Sequence, residues 1–242
     1  MRRFVQTFAS ATGFPPDLPD ALARALAAAP DRYNVGVRQP AAVIWRDERD
    51  ALVLGELVWG LVPRWSKTAS TRYTTVTARL ERVAKSRICR HAWEQRQRCV
   101  LPLTGYYKWD RSRKPHRPWF IHARDGAVLL AAGLWEQWEG EGGPLRSFTV
   151  LTQPNPAIPP PLVPDGPVFL THDRWRRWLE GAGWFPHAFL QRAPQPELTA
   201  YPVSRAIRDP RRDDYMLLEP VAADAPLAPD DDAADDESED DD

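Results

Sequence analysis

Apolar positions along this chain come in short runs rich in β-branched and aromatic residues: Ala41 to Trp45, Leu52 to Trp59, Cys99 to Leu101, Tyr106 to Trp109, Trp119 to His122, Val128 to Leu134 and Ser147 to Leu151. Runs of this length, separated by turn formers, predict strands. Helical spacing is confined to three places. Leu18, Leu22 and Leu26 recur at i, i+4 and i+8, with Asp17 placed to cap a helix running to about Ala29. Between Arg79 and Arg98 the composition turns helical and charged, and the segment His172 to Ala182 puts Trp175, Trp178 and Leu179 on one side. Strands outnumber helices, which predicts an α+β fold: one domain built on a curled, mostly antiparallel β-sheet or barrel with flanking helices. The sequence holds no internal repeat, and its composition does not change sharply before Pro220, so the parse is a domain over residues 1–220 and a linker and tail over 221–242.

A chain of 242 residues with 43% apolar content and 11 tryptophans can fill a sizeable core. No run of eighteen apolar residues and no secretion-signal pattern is present, so no membrane contact is predicted and the cytoplasm is the expected compartment. Cys89 and Cys99 lie ten residues apart without a CxxC or paired histidines, and His91, His122 and His187 lack ligand spacing. No metal site or cofactor is therefore expected, and both thiols read as buried packing residues.

The formal net charge of −1 conceals a division that changes the picture. Ten of the 33 acids fall in the run Asp230 to Asp242, which leaves 23 acids against 32 basic residues over residues 1–229. The body is near +9 and the tail −10. A basic body rich in aromatics suits a polyanion. The tail has no apolar residue larger than alanine and is expected to be disordered beyond a Pro/Ala linker at Pro220 to Pro229. Its simplest role is solubility; a sharper one is to fold back over the basic face and compete with nucleic acid.

Eight motifs then follow in order: RRF near the start, RYNV (Arg32 to Val35), WGLVPRW (Trp59 to Trp65), TARLERV (Thr77 to Val83), RCVLPLTGYYKW (Arg98 to Trp109), GLWEQW (Gly133 to Trp138), SFTVLTQPN (Ser147 to Asn155) and YPVSRAI (Tyr201 to Ile207). Together they resemble the SRAP family (SOS response-associated peptidase-like, the abasic-site processing proteins), over roughly Met1 to Pro220. The resemblance implies a β-rich fold that cradles single-stranded DNA. It also implies chemistry by a cysteine exposed after removal of the initiator methionine, whose thiolate and α-amine both add to an abasic aldehyde and close a five-membered ring. Neighbouring Asn, Glu and His residues would position the sugar and move protons.

This chain departs from the family at those reactive positions. The family start Met-Cys-Gly-Arg-Phe is Met1-Arg2-Arg3-Phe4, one residue shorter and without the cysteine, and the size of Arg2 predicts that Met1 is retained. Asn-Ala-Arg becomes Thr77-Ala78-Arg79, Gly-Phe-Tyr-Glu-Trp becomes Gly105-Tyr106-Tyr107-Lys108-Trp109, and Ile-His-x-Arg-Met-Pro-Val lies near Leu162 to Val168, which holds no histidine. Replacing a carboxylate by a lysine removes a proton acceptor and installs a cation with an ordinary pKa of about 10.4. No catalytic residue of the family is carried over.

Binding is the function expected to survive. Arg79 keeps the motif in which the family contacts phosphate, Arg3 stands where the family has an arginine beside the nucleophile, and Lys108 adds positive charge. With Thr77, Trp65 and Trp109 they form the predicted DNA-binding set, Trp65 being the preferred stacking platform and Trp59 a core residue. Of Tyr106 and Tyr107, alternation predicts that one faces the core and the other a groove. His116 is read as part of a mobile hairpin tip, His172 and Asp173 as the start of a helix, and Pro159 to Pro161 as a rigid connection. The leading expectation is a protein that binds single-stranded, gapped or abasic DNA in a DNA-damage response without the thiol crosslink. One alternative is an abasic-site processing enzyme using the Met1 amine or Lys108 as nucleophile. A second is an interaction protein whose acidic run, Asp230 to Asp242, contacts a basic protein partner.

Overall fold

A computed structural model describes residues 1–11, 13–69, 75–112, 114–140, 142–180 and 186–222. The acidic run and most of the linker lie outside the described residues. Twelve strands follow the chain: β1 (Arg3–Gln6), β2 (Arg32–Gly36), β3 (Pro40–Arg46), β4 (Leu52–Trp59), β5 (Thr77–Arg79), β6 (Arg98–Leu103), β7 (Gly105–Asp110), β8 (Arg117–Ala123), β9 (Leu129–Trp138), β10 (Leu145–Pro154), β11 (Asp165–Pro167) and β12 (Leu198–Pro202). Among the described residues, four short α-helices accompany them: α1 (Asp20–Ala27), α2 (Arg90–Glu94), α3 (Trp175–Glu180) and α4 (Pro186–Gln191). None of the described helices is long and apolar enough to cross a membrane.

The expected α+β architecture is present, and its curl goes to closure. β9 pairs with both β6 and β10, so the order β10-β4-β3-β6-β9 returns on itself as a five-strand barrel. A second sheet, β12-β8-β7-β1-β2, packs on it. Pairing is antiparallel except where β10 runs parallel to β4 and β5. Closure removes the exposed edges that a curled open sheet would leave.

Alternation along the barrel strands separates two cores. Val43, Trp45, Leu57, Trp59, Leu101, Ala131, Phe148 and Val150 share one core with Phe4, Tyr106 and Ile121 of the second sheet. Their neighbours Ile44, Val100, Leu130 and Leu151 point the other way and are covered by Leu26 of α1, Ala92 of α2, Trp175, Trp178 and Leu179 of α3 and Leu190 of α4. The far face of the second sheet carries Val5, Tyr107 and Phe120 under Val203, Ile207 and Leu217 from the C-terminal turns.

All seven apolar runs are strands, and Trp59, Cys89 and Cys99 are buried as expected. Several local expectations are corrected. Asp17 does not cap α1, which starts after Pro19 without a side-chain cap; its carboxylate instead accepts from Trp175 Nε1 at 2.8 Å and from Arg176. Two tertiary donors, one of them charged, outcompete the backbone amides at the helix start. The charged stretch from Arg79 to Arg98 yields only a 3₁₀ turn and the five residues of α2. α3 begins at Trp175, beyond His172 and Asp173, while Asp173 accepts from the Thr171 hydroxyl ahead of it. At the start of the expected linker, Val221 donates to the Pro202 carbonyl and the Ala222 carbonyl accepts from Arg117 at 2.7 Å.

Candidate functional site

Register explains how the start of the chain comes to lie beside Lys108. β1 lies antiparallel to β7 with Phe4 opposite Tyr106 and Val5 opposite Gly105, so extending the same register brings residues 1–2 alongside Lys108. Tyr106 and Lys108 project from the face of β7 that meets the barrel, and Trp119 on β8 stands directly across from Lys108. Barrel strand β10 supplies the other wall. β5 pairs along it with Arg79 opposite Thr152, and β11 pairs with Pro167 opposite the same Thr152. Arg79 and Asp165 are thereby brought from 86 residues apart to an ion pair at 2.9 Å.

Asp165 joins the parts. Its carboxylate accepts from Arg79, and its backbone carbonyl accepts from Lys108 Nζ at 2.7 Å. The Met1 α-amine lies in the same electrostatic neighbourhood. Burial, with Lys108 as the next cause, brings its pKa down from 8.0 to about 5, and Asp165 opposes the shift. Both causes favour the unprotonated form of the amine. Lys108 is also lowered from its ordinary value, first by burial, against the pull of Asp165. The Tyr106 hydroxyl is buried here without a hydrogen-bond partner among the described residues. A Cβ at Gly166 would lie 3.1 Å from that hydroxyl, so the glycine leaves it room.

Trp65 occupies a separate cleft of about 770 Å³ lined by Arg64, Trp65, Lys67, Arg87, Arg90, His91 and Glu94. Its ring is 45% exposed, with the Arg87 guanidinium 4.9 Å from the ring centroid. The turn that presents it is pinned from below: Glu136, only 1% exposed, accepts from the Arg64 backbone N–H at 2.9 Å and pairs with His91 Nδ1 at 2.6 Å, and Trp138 Nε1 donates to the Ser66 carbonyl. Burial raises the Glu136 carboxyl, and the bonds from Arg64 and His91 pull it back. His91 thus bridges Glu136 and Arg64, with Nδ1 facing the carboxylate and Nε2 lying 3.1 Å from Arg64 Nη1.

The six predicted DNA-binding residues do not form one surface. Arg79 and Lys108 meet at Asp165, and Thr77 lies two residues before Arg79 on β5, on its side of the strand. Trp65 heads its own cleft. Arg3 and Trp109 lie on the opposite face of the second sheet: Arg3 donates to Asn34 Oδ1 and to the Arg208 carbonyl, and Trp109 has the Arg205 and Arg208 guanidinium groups 5.9 and 5.8 Å from its ring. Nor does either tyrosine of the GYYKW segment face a groove: Tyr106 and Tyr107 point to opposite faces of β7, but both faces are covered, and the Tyr107 hydroxyl donates to the Tyr33 carbonyl.

Sequence reasoning missed Asp165 and the His91–Glu136 pair. The signal for Asp165 was present: aligning Pro167-Val168 with the Pro-Val of the family motif puts Asp165 where the family has arginine. Lysine for glutamate at position 108 and aspartate for arginine at 165 are then opposite changes of sign at neighbouring positions: Lys108 Nζ donates to the Asp165 backbone carbonyl at 2.7 Å, and the Asp165 charge favours the Lys108 cation. The pairing of His91 with Glu136 spans 45 residues and leaves no local pattern.

Comparison with known proteins agrees with the geometry. A family model described as SOS response associated peptidase (SRAP) matches residues 5–210. The chain is 30% identical over 193 residues to the abasic site processing protein YoaM of Bacillus subtilis, covering 77% of this chain and 84% of that one. It is 33% identical over 126 residues to the abasic site processing protein YMR114C of Saccharomyces cerevisiae, covering 51% and 33%. A crystal structure of a protein from Bacteroides thetaiotaomicron has the same fold, with a TM-score of 0.69 at 19% identity over 84% of this chain and 91% of the other. The ordered motifs, the barrel with its second sheet, and the family match over residues 5–210 establish that this chain belongs to the SRAP family.

Proposed function

We propose that this SRAP protein engages single-stranded or gapped DNA at abasic sites, as part of a DNA-damage response, and holds it without a durable thiol crosslink. The observation that carries this reading is the state of its two thiols. Cys99 is 0% and Cys89 4% exposed, each within a core cluster; burial pushes Cys89 up to about 11 and Cys99 higher still. A neutral, sealed thiol is neither nucleophilic nor within reach of a sugar. Arg79 and Lys108 meanwhile converge on Asp165 beside the amino terminus, where a phosphate could compete with the Asp165 carboxylate for Arg79. Incubation with abasic single-stranded DNA followed by denaturing electrophoresis is the test. Binding without a heat-stable shifted band is expected; a stable band that survives denaturation without any reductant overturns the reading.

A second reading is supported by the Met1 amine, whose pKa burial and Lys108 bring down to about 5. Its nitrogen lone pair can add to the C1′ aldehyde of a ring-opened abasic sugar, and the carbinolamine then loses water to give an imine. Protonation of the imine makes a C2′ proton acidic, and its removal expels the 3′ phosphate by β-elimination. Without a thiol on the same residue no ring closes, so the adduct remains reversible or ends in strand cleavage. Borohydride reduces the iminium to a stable secondary amine and should trap a shifted band on protein whose unblocked Met1 is confirmed by intact mass. Loss of the band on acetylating the α-amine, but not in Lys108→Met, assigns the nucleophile to Met1; the reverse pattern assigns it to Lys108; no band in any form sinks the enzyme reading.

A further inference from the structure

The last described residues are fastened at the end of the β7–β8 ladder. Val221 and Ala222 are fastened to the Pro202 carbonyl and the Arg117 guanidinium. Arg117 lies opposite Asp110, as Trp119 lies opposite Lys108, so Arg117, Asp110, Trp119 and Lys108 share one face of the β7–β8 ladder. Asp110 is two residues beyond Lys108 on β7, roughly 7 Å at the usual rise per residue, and β8 is about 5 Å to the side. Arg111, the next residue, is exposed and acts electrostatically on both Lys108 and the Met1 amine.

From Ala222 to Asp230 is eight residues, a reach of up to about 28 Å when extended. That exceeds the distance of about 15 Å from the exit to Lys108 implied by the strand spacings. The run that begins at Asp230 carries ten acids in thirteen residues and no base. Asp165 shows that the cation at Arg79 accepts a carboxylate, at 2.9 Å. A segment with the charge density of a nucleic-acid strand is thus tethered beside cations that pair with oxyanions.

We propose that residues 230–242 dock intramolecularly on the cationic face around Arg79, Lys108 and Arg111 and compete there with nucleic acid. The competition rests on the reading of that face as a DNA surface; the docking does not. Tethering holds the acidic run at an effective concentration in the millimolar range. Against a weak electrostatic affinity of about 10⁻⁴ M, this lowers the affinity for single-stranded DNA by about tenfold at low salt, and high salt abolishes the difference.

The test compares the full chain with a full-length variant in which Glu237→Gln, Glu239→Gln and every aspartate of the run to asparagine remove the charge. Titration with a fluorescent oligothymidylate should give about tenfold tighter binding for the variant at 50 mM salt and equal binding at 300 mM. Equal affinities at 50 mM with measurable DNA binding overturn the proposal and leave the run a solubility device. A second arm adds the labelled peptide DDDAADDESEDDD to the neutralised variant and reads anisotropy. Saturable, salt-sensitive binding that weakens in Arg111→Ala is expected, whereas no binding at millimolar peptide overturns docking and attributes any DNA effect to long-range repulsion. If neither full-length form binds DNA, the DNA reading fails, competition with it, and the peptide arm decides docking alone.

Discussion

Two cations and an acid decide what this pocket can do at the residue scale. Asp165 neutralises Arg79 and holds Lys108 through its carbonyl. Asp165→Asn keeps the carbonyl and releases the guanidinium, so single-stranded DNA should bind about two- to fivefold tighter at low salt, the worth of a partly exposed ion pair. The slope of log affinity against log salt should steepen by about 0.7 as one more phosphate is neutralised; an unchanged slope would show that Arg79 does not meet DNA. The sign exchange makes a second prediction. Lys108→Glu alone sets an acid beside the Asp165 carbonyl and near its carboxylate, and should destabilise the fold; Lys108→Glu with Asp165→Arg restores the family's order of charge. Thermal midpoints of the two single variants and the double should reveal a favourable coupling of about 1 kcal/mol or more, and strict additivity would contradict the exchange. The Met1 amine adds a pH dependence. Its folded value, about 5, is below its ordinary 8.0, so the unfolded chain binds more protons between those limits. Stability from this group is fully present above pH 8 and is lost as pH falls through about 5. A Gly-Ser extension before Met1 removes the amine from the pocket, and should flatten the rise in thermal midpoint between pH 5 and 8 relative to the unextended chain.

At the scale of elements, two glycines show why the motifs have their spelling. Gly105 opens β7 between β1 and β8, and a Cβ there would lie 2.2 Å from a Phe120 ring carbon and 2.7 Å from the Ile121 carbonyl oxygen. On β9, a Cβ at Gly133 would meet the Thr149 carbonyl oxygen at 2.7 Å and Cys99 Sγ at 2.8 Å. Gly105→Ala should therefore cost about 1–3 kcal/mol, a drop of about 2–12 °C in thermal midpoint for a body of this size; an unchanged midpoint would mean that Phe120 swings clear. The long strands were legible because each carries its own alternation of apolar and polar positions. β5 and β11 were not, for three residues each hold too few alternations to register, and both exist because β10 offers an edge. The same holds for Asp17, whose local preference for a cap yields to Trp175 and Arg176, more than 150 residues away.

For the whole molecule, closure of the barrel and cover by the C-terminal turns set where the domain ends. Asp213 accepts from Arg32 and from the Tyr33 and Asn34 amides, and Leu217 fills the core on the far face of the second sheet. A chain ending at Ala222 should keep the thermal midpoint of the full chain within about 2 °C, whereas one ending at Arg212 strips these contacts and should melt at least about 5 °C lower. Equal midpoints for all three would place the boundary earlier. By itself the sequence determined the fold class, the family and the burial of Trp59 and both cysteines, because each of these is written in local spacing or in the identity of a single position. The pocket was decided only by tertiary structure. It brings Met1, Arg79, Lys108 and Asp165 together from four separate strands or strand ends, and whether an amine is charged or a lysine is answered by an acid depends on burial and on neighbours that no local pattern encodes. RCVLPLTGYYKW spells a strand pair and a changed residue; β11, paired with β10, supplies the backbone carbonyl that the lysine meets.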